Sequence, residues 1–235
     1  MNYTISLAGV RLALPLEREE AARYFSRFAA EGDGLPVAPI PEEVWDFWRS
    51  LGKPVDAFGE YSVLSLTVSD ALLPQQRCVL HGAAFSYLGK AWAICANPGV
   101  GKTTILRQLM QLAPEVAVIS GDRPIVALDE DAVRLHPSPW NGKENMYGAP
   151  AAPFGGLIFL RRAEENKIEP LSPARAVFPL LPSLVCSYET EALIRQYAAF
   201  MDTLLSRVPA VALLDRDAPE AAAALLQYLN EVSQS

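Results

Sequence analysis

The stretch that organises the chain is AWAICANPGVGKTT, residues 91–104. Its apolar beginning, residues 91–95, is typical of a buried strand, and the sequence ILRQLM that follows it, residues 105–110, is typical of a helix. A Pro/Gly turn and a Gly-Lys-Thr-Thr tetrad lie between them. Strand, glycine-containing loop and helix in this order form the context that a phosphate-binding P-loop needs. The stretch therefore predicts an α/β fold built around a nucleotide-binding loop.

A P-loop holds phosphate mainly with its backbone, because its N–H groups point inward and the following helix N-terminus adds partial positive charge. Lys102 is expected to reach the β- and γ-phosphates, and the Thr103 hydroxyl is expected to bind Mg²⁺. An ordinary strand–helix turn with Lys102 on the surface is the alternative. The predicted cofactor-binding residues of this stretch are Asn97, Pro98, Gly99, Val100, Gly101, Lys102, Thr103 and Thr104.

One position of the motif departs from the usual pattern. The pattern begins with glycine, and here that position is Ala96. Alanine fits only if the backbone there has a φ angle below zero. Gly99 and Gly101 remain, and they flank the tightest part of the loop.

Composition limits the classes of function. The chain has 235 residues, 51% hydrophobic and 20% charged, which is typical of a globular protein with a sizeable core. Its net charge of −7 argues against nucleic acid as the main partner. No run approaches the roughly 18 apolar residues of a membrane span, and Arg11 interrupts the apolar N-terminus, so neither a membrane anchor nor a signal peptide is expected. The expected location is cytoplasmic, with Cys78, Cys95 and Cys186 as buried free thiols.

Residues 1–74 carry no convincing catalytic group, and we interpret them as an N-terminal α+β cap or substrate-facing layer. Alternation in residues 3–14 predicts a hairpin, and residues 17–30 and the segment after Pro41 predict helices. Residues 61–69 alternate like a strand. Aromatic residues near 44–48 have the chemistry to stack on bases, but core packing is the preferred interpretation.

Residues 75–235 are predicted to form the core, a mixed sheet with helices. A hairpin over residues 78–95 leads into the P-loop strand, and the strand at 116–119 ends in Ser120-Gly121-Asp122-Arg123-Pro124. A carboxylate at such a strand end often handles Mg²⁺ or a reacting hydroxyl, so Asp122 is a candidate for both. A polar loop at 137–145 is predicted to be either functional or a plain surface loop. The arginines at 161–162 are predicted either to meet phosphate or to end a strand in solvent.

These motifs together resemble the C-terminal catalytic domain of HPr serine kinase/phosphorylase, and more closely an uncharacterised bacterial branch of HPr-kinase-like proteins. The resemblance covers residues 75–235. It rests on His81-Gly82, the hairpin and P-loop, Gly121-Asp122-Arg123-Pro124 in place of the family's Asp-Asp-Lys/Arg-Pro, and Pro139-Trp140-Asn141-Gly142-Lys143.

The resemblance implies a fold related to phosphoenolpyruvate carboxykinase and transfer of a phosphoryl group from ATP, or GTP, with Mg²⁺. The acceptor would be a hydroxyl of a protein, peptide or small molecule, and a homo-oligomer is possible. The catalytic candidates are Asp122, Lys102 and His81, and the metal candidates are Thr103 and Asp122. Arg123 and Lys143 are expected near the phosphates. For His81 a satisfied strand-end histidine, and for Arg123 a structural ion pair, are the alternatives.

One of the family's paired carboxylates is missing, because Gly121 occupies its position. The family's second signature motif, at its subunit contact, is also missing. Three functions therefore compete. The first is a Mg²⁺-dependent phosphotransferase. The second is a nucleotide- or phosphate-binding regulatory module with little turnover. The third is an interaction protein whose P-loop is vestigial.

Overall fold

The computed structural model describes residues 2–187 and 189–233. The apolar segments that the chain buries determine its fold. The strands are β1 Asn2–Leu7, β2 Val10–Pro15, β3 Leu35–Pro36, β4 Arg77–Val79, β5 Ala83–Tyr87, β6 Lys90–Cys95, β7 Ala117–Ser120, β8 Ile125–Leu128, β9 Val133–His136, β10 Ala152–Arg162, β11 Lys167–Leu171 and β12 Ala210–Asp215. The α-helices are α1 Ala22–Phe25, α2 Glu42–Ser50, α3 Ala57–Leu72, α4 Lys102–Leu112, α5 Pro173–Leu180, α6 Glu191–Arg207 and α7 Ala218–Ser233.

A nine-stranded mixed sheet forms the centre of the molecule, so the predicted mixed α/β class is confirmed. Strands β6, β10 and β12 are parallel neighbours, with β10 in the middle. Strand β5 pairs antiparallel with β6, and β7 pairs antiparallel with β5. Strand β10 also pairs at its start with β9, which connects to β8 and β4. Because the carboxyl ends of β6, β10 and β12 share one edge, the residues after these strands meet there.

Both faces of the three parallel strands are covered by helices. On β10, Leu157 and Phe159 pack in a cluster with residues of α5 and α6, whereas Ile158 and Leu160 pack with residues of α4 and α7. Strands buried on both faces read as continuous apolar runs, which is why β6, β10 and β12 are recognisable in the sequence. The turn from β5 to β6 has positive φ at Leu88 and Gly89, which suits a tight hairpin.

A separate three-stranded sheet, β1–β2–β3, packs with α3 in the first part of the chain. Its apolar cluster also contains Val79, Ile125 and Trp140 from later elements. The predicted hairpin over residues 3–14 and the helix after Pro41 are confirmed as β1–β2 and α2.

Two predictions for this part of the chain are wrong. Residues 61–69 are not a strand; they belong to α3, whose N-terminus is capped by the Asp56 carboxylate accepting from the Gly59 N–H at 2.8 Å. This helix is buried on several sides, so its sequence lacks the apolar stripe that marks an amphipathic helix. The helix predicted over residues 17–30 is reduced to the four residues of α1 between short 3-10 turns.

The burial of the cysteines and the length of the helices test two other expectations. Cys78 and Cys95 are free and buried, as predicted, and Cys186 is also buried. Among the helices of the described ranges, none combines the length and apolar character that crossing a bilayer requires.

Candidate functional site

The segment between β6 and α4, residues 96–101, is the centre of the candidate site, and we call it the β6–α4 loop. Its strand–loop–helix context is as predicted. Gly99 has φ +83° and Gly101 has φ +121°, values that side-chain-bearing residues rarely adopt. Ala96 is not among the residues with positive φ. The departure of Ala96 from the usual motif therefore places no strain on the loop.

Among the described residues, no side chain caps the N-terminus of α4. Gly101 is the N-cap residue and supplies no side-chain hydrogen bond, whereas Thr190 caps α6 by accepting from the Leu193 N–H at 3.2 Å. Uncapped N–H groups and the helix dipole favour an anion at this position. The residues after the cap, Lys102, Thr103 and Thr104, form the first turn of α4.

Lys102 folds back over the loop. Its ammonium donates a hydrogen bond to the Ala96 carbonyl oxygen at 3.0 Å. Burial lowers the pKa of Lys102, while the negative charge of Asp122 acts in the opposite direction. The ammonium of Lys102 therefore lies at Ala96, the first residue of the loop. It is also within electrostatic range of Asp122, the carboxylate predicted to be catalytic.

Asp122 reaches the site by an indirect route. Strand β7 pairs with β5 and not with β6, so the carboxylate does not follow a strand next to the loop. Residues 120–124 instead run beside 80–82, where the Gly82 N–H donates to the Asp122 carbonyl at 2.7 Å and the Leu80 N–H donates to the Pro124 carbonyl at 2.9 Å. This pairing brings Asp122 and His81 together.

The Asp122 carboxylate lies between a histidine and an arginine side chain. His81 Nε2 lies 3.4 Å from Oδ1, and Arg123 Nε lies 3.6 Å from Oδ2. Burial alone would raise the pKa of Asp122, but the hydrogen bond from His81 and the charges of Arg123, His81 and Lys102 outweigh it and lower the pKa below its usual range. The carboxylate is therefore ionised at neutral pH and available as a proton acceptor or cation ligand.

Gly121 occupies a position with no room for a side chain. A Cβ atom there would lie 2.7 Å from the Asn141 carbonyl oxygen and 3.2 Å from the Met146 carbonyl oxygen. Because both contacts are with backbone, neither can be relieved by a rotamer change. The second carboxylate of the Asp-Asp pattern is thus excluded by how residues 141–146 pack on this turn.

The polar loop at 137–145 is anchored and does not lie free on the surface. Trp140 is 1% exposed, donates from Nε1 to the Tyr61 carbonyl at 2.6 Å and stacks on the Tyr61 ring. The Tyr61 hydroxyl donates back to the Pro139 carbonyl at 2.8 Å. The alternative of a plain surface loop is therefore wrong for Trp140 and Asn141, which are buried, whereas Lys143 beyond them is exposed.

The Arg123 side chain is hydrogen-bonded to α3. Its Nη1 donates to the Ser62 carbonyl at 2.7 Å and to the Ser65 hydroxyl at 2.6 Å. The structure thus brings His81 and Arg123 to the Asp122 carboxylate, with the arginine side chain held between that carboxylate and α3, whereas Lys102 acts on the carboxylate only through its charge.

A pair missed by sequence reasoning lies at the carboxyl edge of the parallel strands. Arg162 of β10 and Asp215 of β12 are register partners, and Nη1 of the arginine lies 2.7 Å from Oδ2 of the aspartate. Asp215 is 1% exposed, and its Oδ1 makes no hydrogen bond with the described part of the chain. Nη2 of Arg162 is 3.5 Å from where a Cβ on Gly101 would lie, so the guanidinium faces the N-cap of α4.

The signal for this pair was present in part. Asp215 directly follows the apolar run 210–214, which is the same pattern that drew attention to Asp122. The arginines at 161–162 were considered, but which strand end they would meet depends on the pairing of β10 with β12, which no local pattern encodes.

Metal binding is supported here only by residue chemistry. Within the described ranges no group of three or more His, Cys, Asp or Glu side chains is arranged to hold a metal ion. Thr103 and Asp122 offer one hydroxyl and one ionised carboxylate, and phosphate oxygens commonly complete a Mg²⁺ site of this kind. The donor set therefore fits Mg²⁺ that arrives with a nucleotide.

Comparison with known proteins gives little further guidance. No protein-family model matches the chain, and no curated protein matches it. Among solved structures, the HPr(Ser) kinase/phosphatase from Coxiella burnetii is similar over 65% of this chain and 97% of that chain, with 10% sequence identity and a TM-score of 0.40. At this TM-score the likeness carries no weight for fold or activity. Membership of the HPr kinase family therefore stays a prediction, and the site must be judged on its own geometry.

Proposed function

We propose that this chain binds a nucleoside triphosphate with Mg²⁺ and transfers its terminal phosphoryl group to a hydroxyl. The observation that carries the proposal is the proximity of Lys102, on the uncapped N-terminus of α4, to an ionised carboxylate held by His81. A positively charged phosphate cradle and a proton acceptor at one place are the two requirements of such a transfer.

The phosphate side of the site is provided by the β6–α4 loop and the first turn of α4. In the proposal the N–H groups of residues 97 and 99–104 surround the phosphates, and the Lys102 ammonium leaves the Ala96 carbonyl to contact the β- and γ-phosphates. The Thr103 hydroxyl and the Asp122 carboxylate would hold Mg²⁺, which neutralises phosphate charge when bound. ATP and GTP both satisfy this description.

The acceptor side is provided by Asp122. An acceptor hydroxyl oxygen forms a bond to the γ-phosphorus, the bond from that phosphorus to the β–γ bridging oxygen breaks, and the nucleoside diphosphate leaves. The hydroxyl proton passes to the Asp122 carboxylate. His81 orients that carboxylate at 3.4 Å, and Arg123 ties the turn that carries it to α3.

The proposal is tested by slow hydrolysis of Mg²⁺-ATP, in which water takes the place of the acceptor. Wild type should hydrolyse ATP, and Asp122→Asn at saturating Mg²⁺-ATP should do so about 10²-fold more slowly, because a general base contributes about 10²–10⁴-fold. Equal hydrolysis by wild type and Asp122→Asn would remove Asp122 from the proposed role.

A second function is favoured by one observation. The packing of residues 141–146 on Gly121 leaves no place for a second carboxylate, and the lowered pKa of Asp122 makes it a weak base. A regulatory module that binds nucleotide and turns it over little is therefore the alternative. Tight nucleotide binding with no hydrolysis and no transfer in wild type would favour it.

Several further features belong to the proposal. We retain the division into residues 1–74 and 75–235, a cytoplasmic location, Lys143 near the phosphates, and a possible homo-oligomer. The acceptor class is addressed below.

A further inference from the structure

A cleft of about 270 Å³ opens beside the start of the β6–α4 loop. Ala96 and Asn97 form one wall, and the segment of α5 and the 3-10 turn after it forms the other. The lining residues used here are Ala96, Asn97, Arg161, Phe178, Pro182 and Ser183. None of them is required by the phosphate-binding scheme except Asn97.

The far wall of the cleft is apolar and stiff. Phe178 is 82% exposed, the largest exposed fraction among the bulky apolar side chains of the described residues. Prolines at 173, 179 and 182 restrict the backbone of this wall. An aromatic ring held in solvent on a rigid segment offers contact area to a ligand with little further ordering.

Two residues that line the cleft, Ala96 and Ser183, are hydrogen-bonded to residues of the proposed site. Lys102 bonds to the Ala96 carbonyl, so the end of the loop that should hold the terminal phosphate is the end that lines the cleft. On the opposite wall, the Ser183 carbonyl accepts from the His81 N–H at 2.6 Å, and His81 contacts Asp122. The cleft therefore lies between the γ-phosphate position and the residues around the proton acceptor.

We propose that this cleft binds the body of the phosphoryl acceptor, an alcohol carried on an uncharged apolar group about the size of one aromatic ring. This inference rests on the proposed function. The cleft volume admits a small molecule or a single side chain with its neighbours, and is too small for a larger body. Arg161 lines the cleft and disfavours a cationic acceptor.

Two fluorinated alcohols test whether the acceptor is a free small molecule or a side chain of a peptide. One is 2-(4-fluorophenyl)ethanol, a free small molecule, and the other is N-acetyl-seryl-(4-fluorophenylalanine) amide, a peptide. The matched cationic control is 2-[4-(aminomethyl)-3-fluorophenyl]ethanol, which keeps the hydroxyl and carries an ammonium on the ring that would enter the cleft. Binding is followed by ¹⁹F NMR on the whole chain, loaded with Mg²⁺ and a non-hydrolysable ATP analogue. Binding of either alcohol supports the proposed role of the cleft and shows whether the acceptor is a small molecule or a peptide.

Four forms of the protein complete the test. Phe178→Ala should weaken alcohol binding about tenfold, because the ring of the bound alcohol loses most of its contact with the cleft wall. Phe178→Trp should retain alcohol binding. Phe47→Ala removes another exposed ring, on α2 and outside the cleft, and should bind as wild type does. Affinity for the ATP analogue should be equal in all four. The ammonium probe should bind at least tenfold more weakly than the matching alcohol.

The inference is overturned if neither alcohol binds to nucleotide-loaded wild type, if Phe178→Ala binds as tightly as wild type, or if the ammonium probe binds equally well. Failure of the proposed function is distinct, because the ATP analogue then either does not bind wild type or binds Lys102→Ala equally. Alcohol binding without nucleotide binding would make the cleft a ligand site and overturn its role as an acceptor site.

Discussion

The β6–α4 loop and the turn at residues 120–124 both depend on glycine, but for different physical reasons. In the loop, a Cβ on Gly99 would meet nothing within 4 Å, and what glycine provides is a φ of +83°. In the turn, Gly121 has no positive φ, and what glycine provides is the absence of a Cβ that would lie 2.7 Å from the Asn141 carbonyl. The first glycine is required by backbone conformation and the second by packing.

This difference separates two departures from one sequence pattern. Alanine at position 96 does not have a positive φ, so this departure from the pattern imposes no backbone strain on the loop. Glycine at position 121 reflects a neighbouring loop that fills the place of a carboxylate, so the acceptor side is built differently from the Asp-Asp pattern. The site therefore keeps one carboxylate in a cationic environment rather than a damaged pair.

The largest expected effect comes from restoring the missing carboxylate. Gly121→Asp should lower the free energy of unfolding by about 2–3 kcal/mol, because its Cβ meets two backbone carbonyls. Gly52→Asp is the control, since Gly52 has φ +69° with open space around a Cβ, and aspartate tolerates that conformation at a cost below about 1 kcal/mol. Urea unfolding measures both. Equal stabilities of the two variants would contradict the packing account of Gly121.

A somewhat smaller effect tests how the turn is held. Trp140→Phe should lower the free energy of unfolding by about 2 kcal/mol, because it leaves the Tyr61 carbonyl without its donor and opens space in a buried cluster. Trp48→Phe removes a similar indole hydrogen bond, to the Pro54 carbonyl at 2.8 Å, at an exposed position and should cost less than half as much. Thermal unfolding of both variants compares them, and equal losses would mean that Trp140 does not anchor the turn.

The loop glycines should show a milder, conformational effect. Gly99→Ala should cost about 1 kcal/mol of unfolding free energy, because alanine resists a φ of +83° although space is available. Ala96→Gly, which restores the usual motif residue, should change nucleotide affinity less than twofold. A large gain in affinity from Ala96→Gly would show that Ala96 does impair the loop.

The smallest effect is a pH dependence. The folded-state pKa of Asp122 is lowered from 3.8, so its ionised form contributes stability that is fully present above the unfolded-state pKa and is lost as the pH falls through the folded-state pKa. The difference in unfolding free energy between wild type and Asp122→Asn should therefore be larger at about pH 5 than below about pH 4. A difference that grows on acidification would reverse the assigned direction.

The sequence predicts the centre of the fold well and its connections poorly. Strand β6, the loop and α4 are evident because a continuous apolar run, glycines and a helical period follow one another within 22 residues, 91–112. Strands β10 and β12 are evident because both faces are buried. Helix α3 was mistaken for a strand because burial on several sides hides its helical period.

The site was predictable only where its residues are close in sequence. Lys102 and the loop come from one motif, and Asp122 follows an apolar run. The contact of Asp122 with His81, the burial of Trp140 against Tyr61, and the pairing of Arg162 with Asp215 each join segments more than 40 residues apart. Such contacts follow from sheet order and packing, which local patterns do not specify.

The central claim is that the uncapped N-terminus of α4 and Lys102 form a working phosphate site. Isothermal titration of Mg²⁺-ATP into wild type, Lys102→Ala and Lys167→Ala tests it, with Lys167 as a lysine of β11 that matches the change in net charge. We predict micromolar binding by wild type and Lys167→Ala and none by Lys102→Ala. Absence of binding by wild type, or equal binding by Lys102→Ala, would contradict the account.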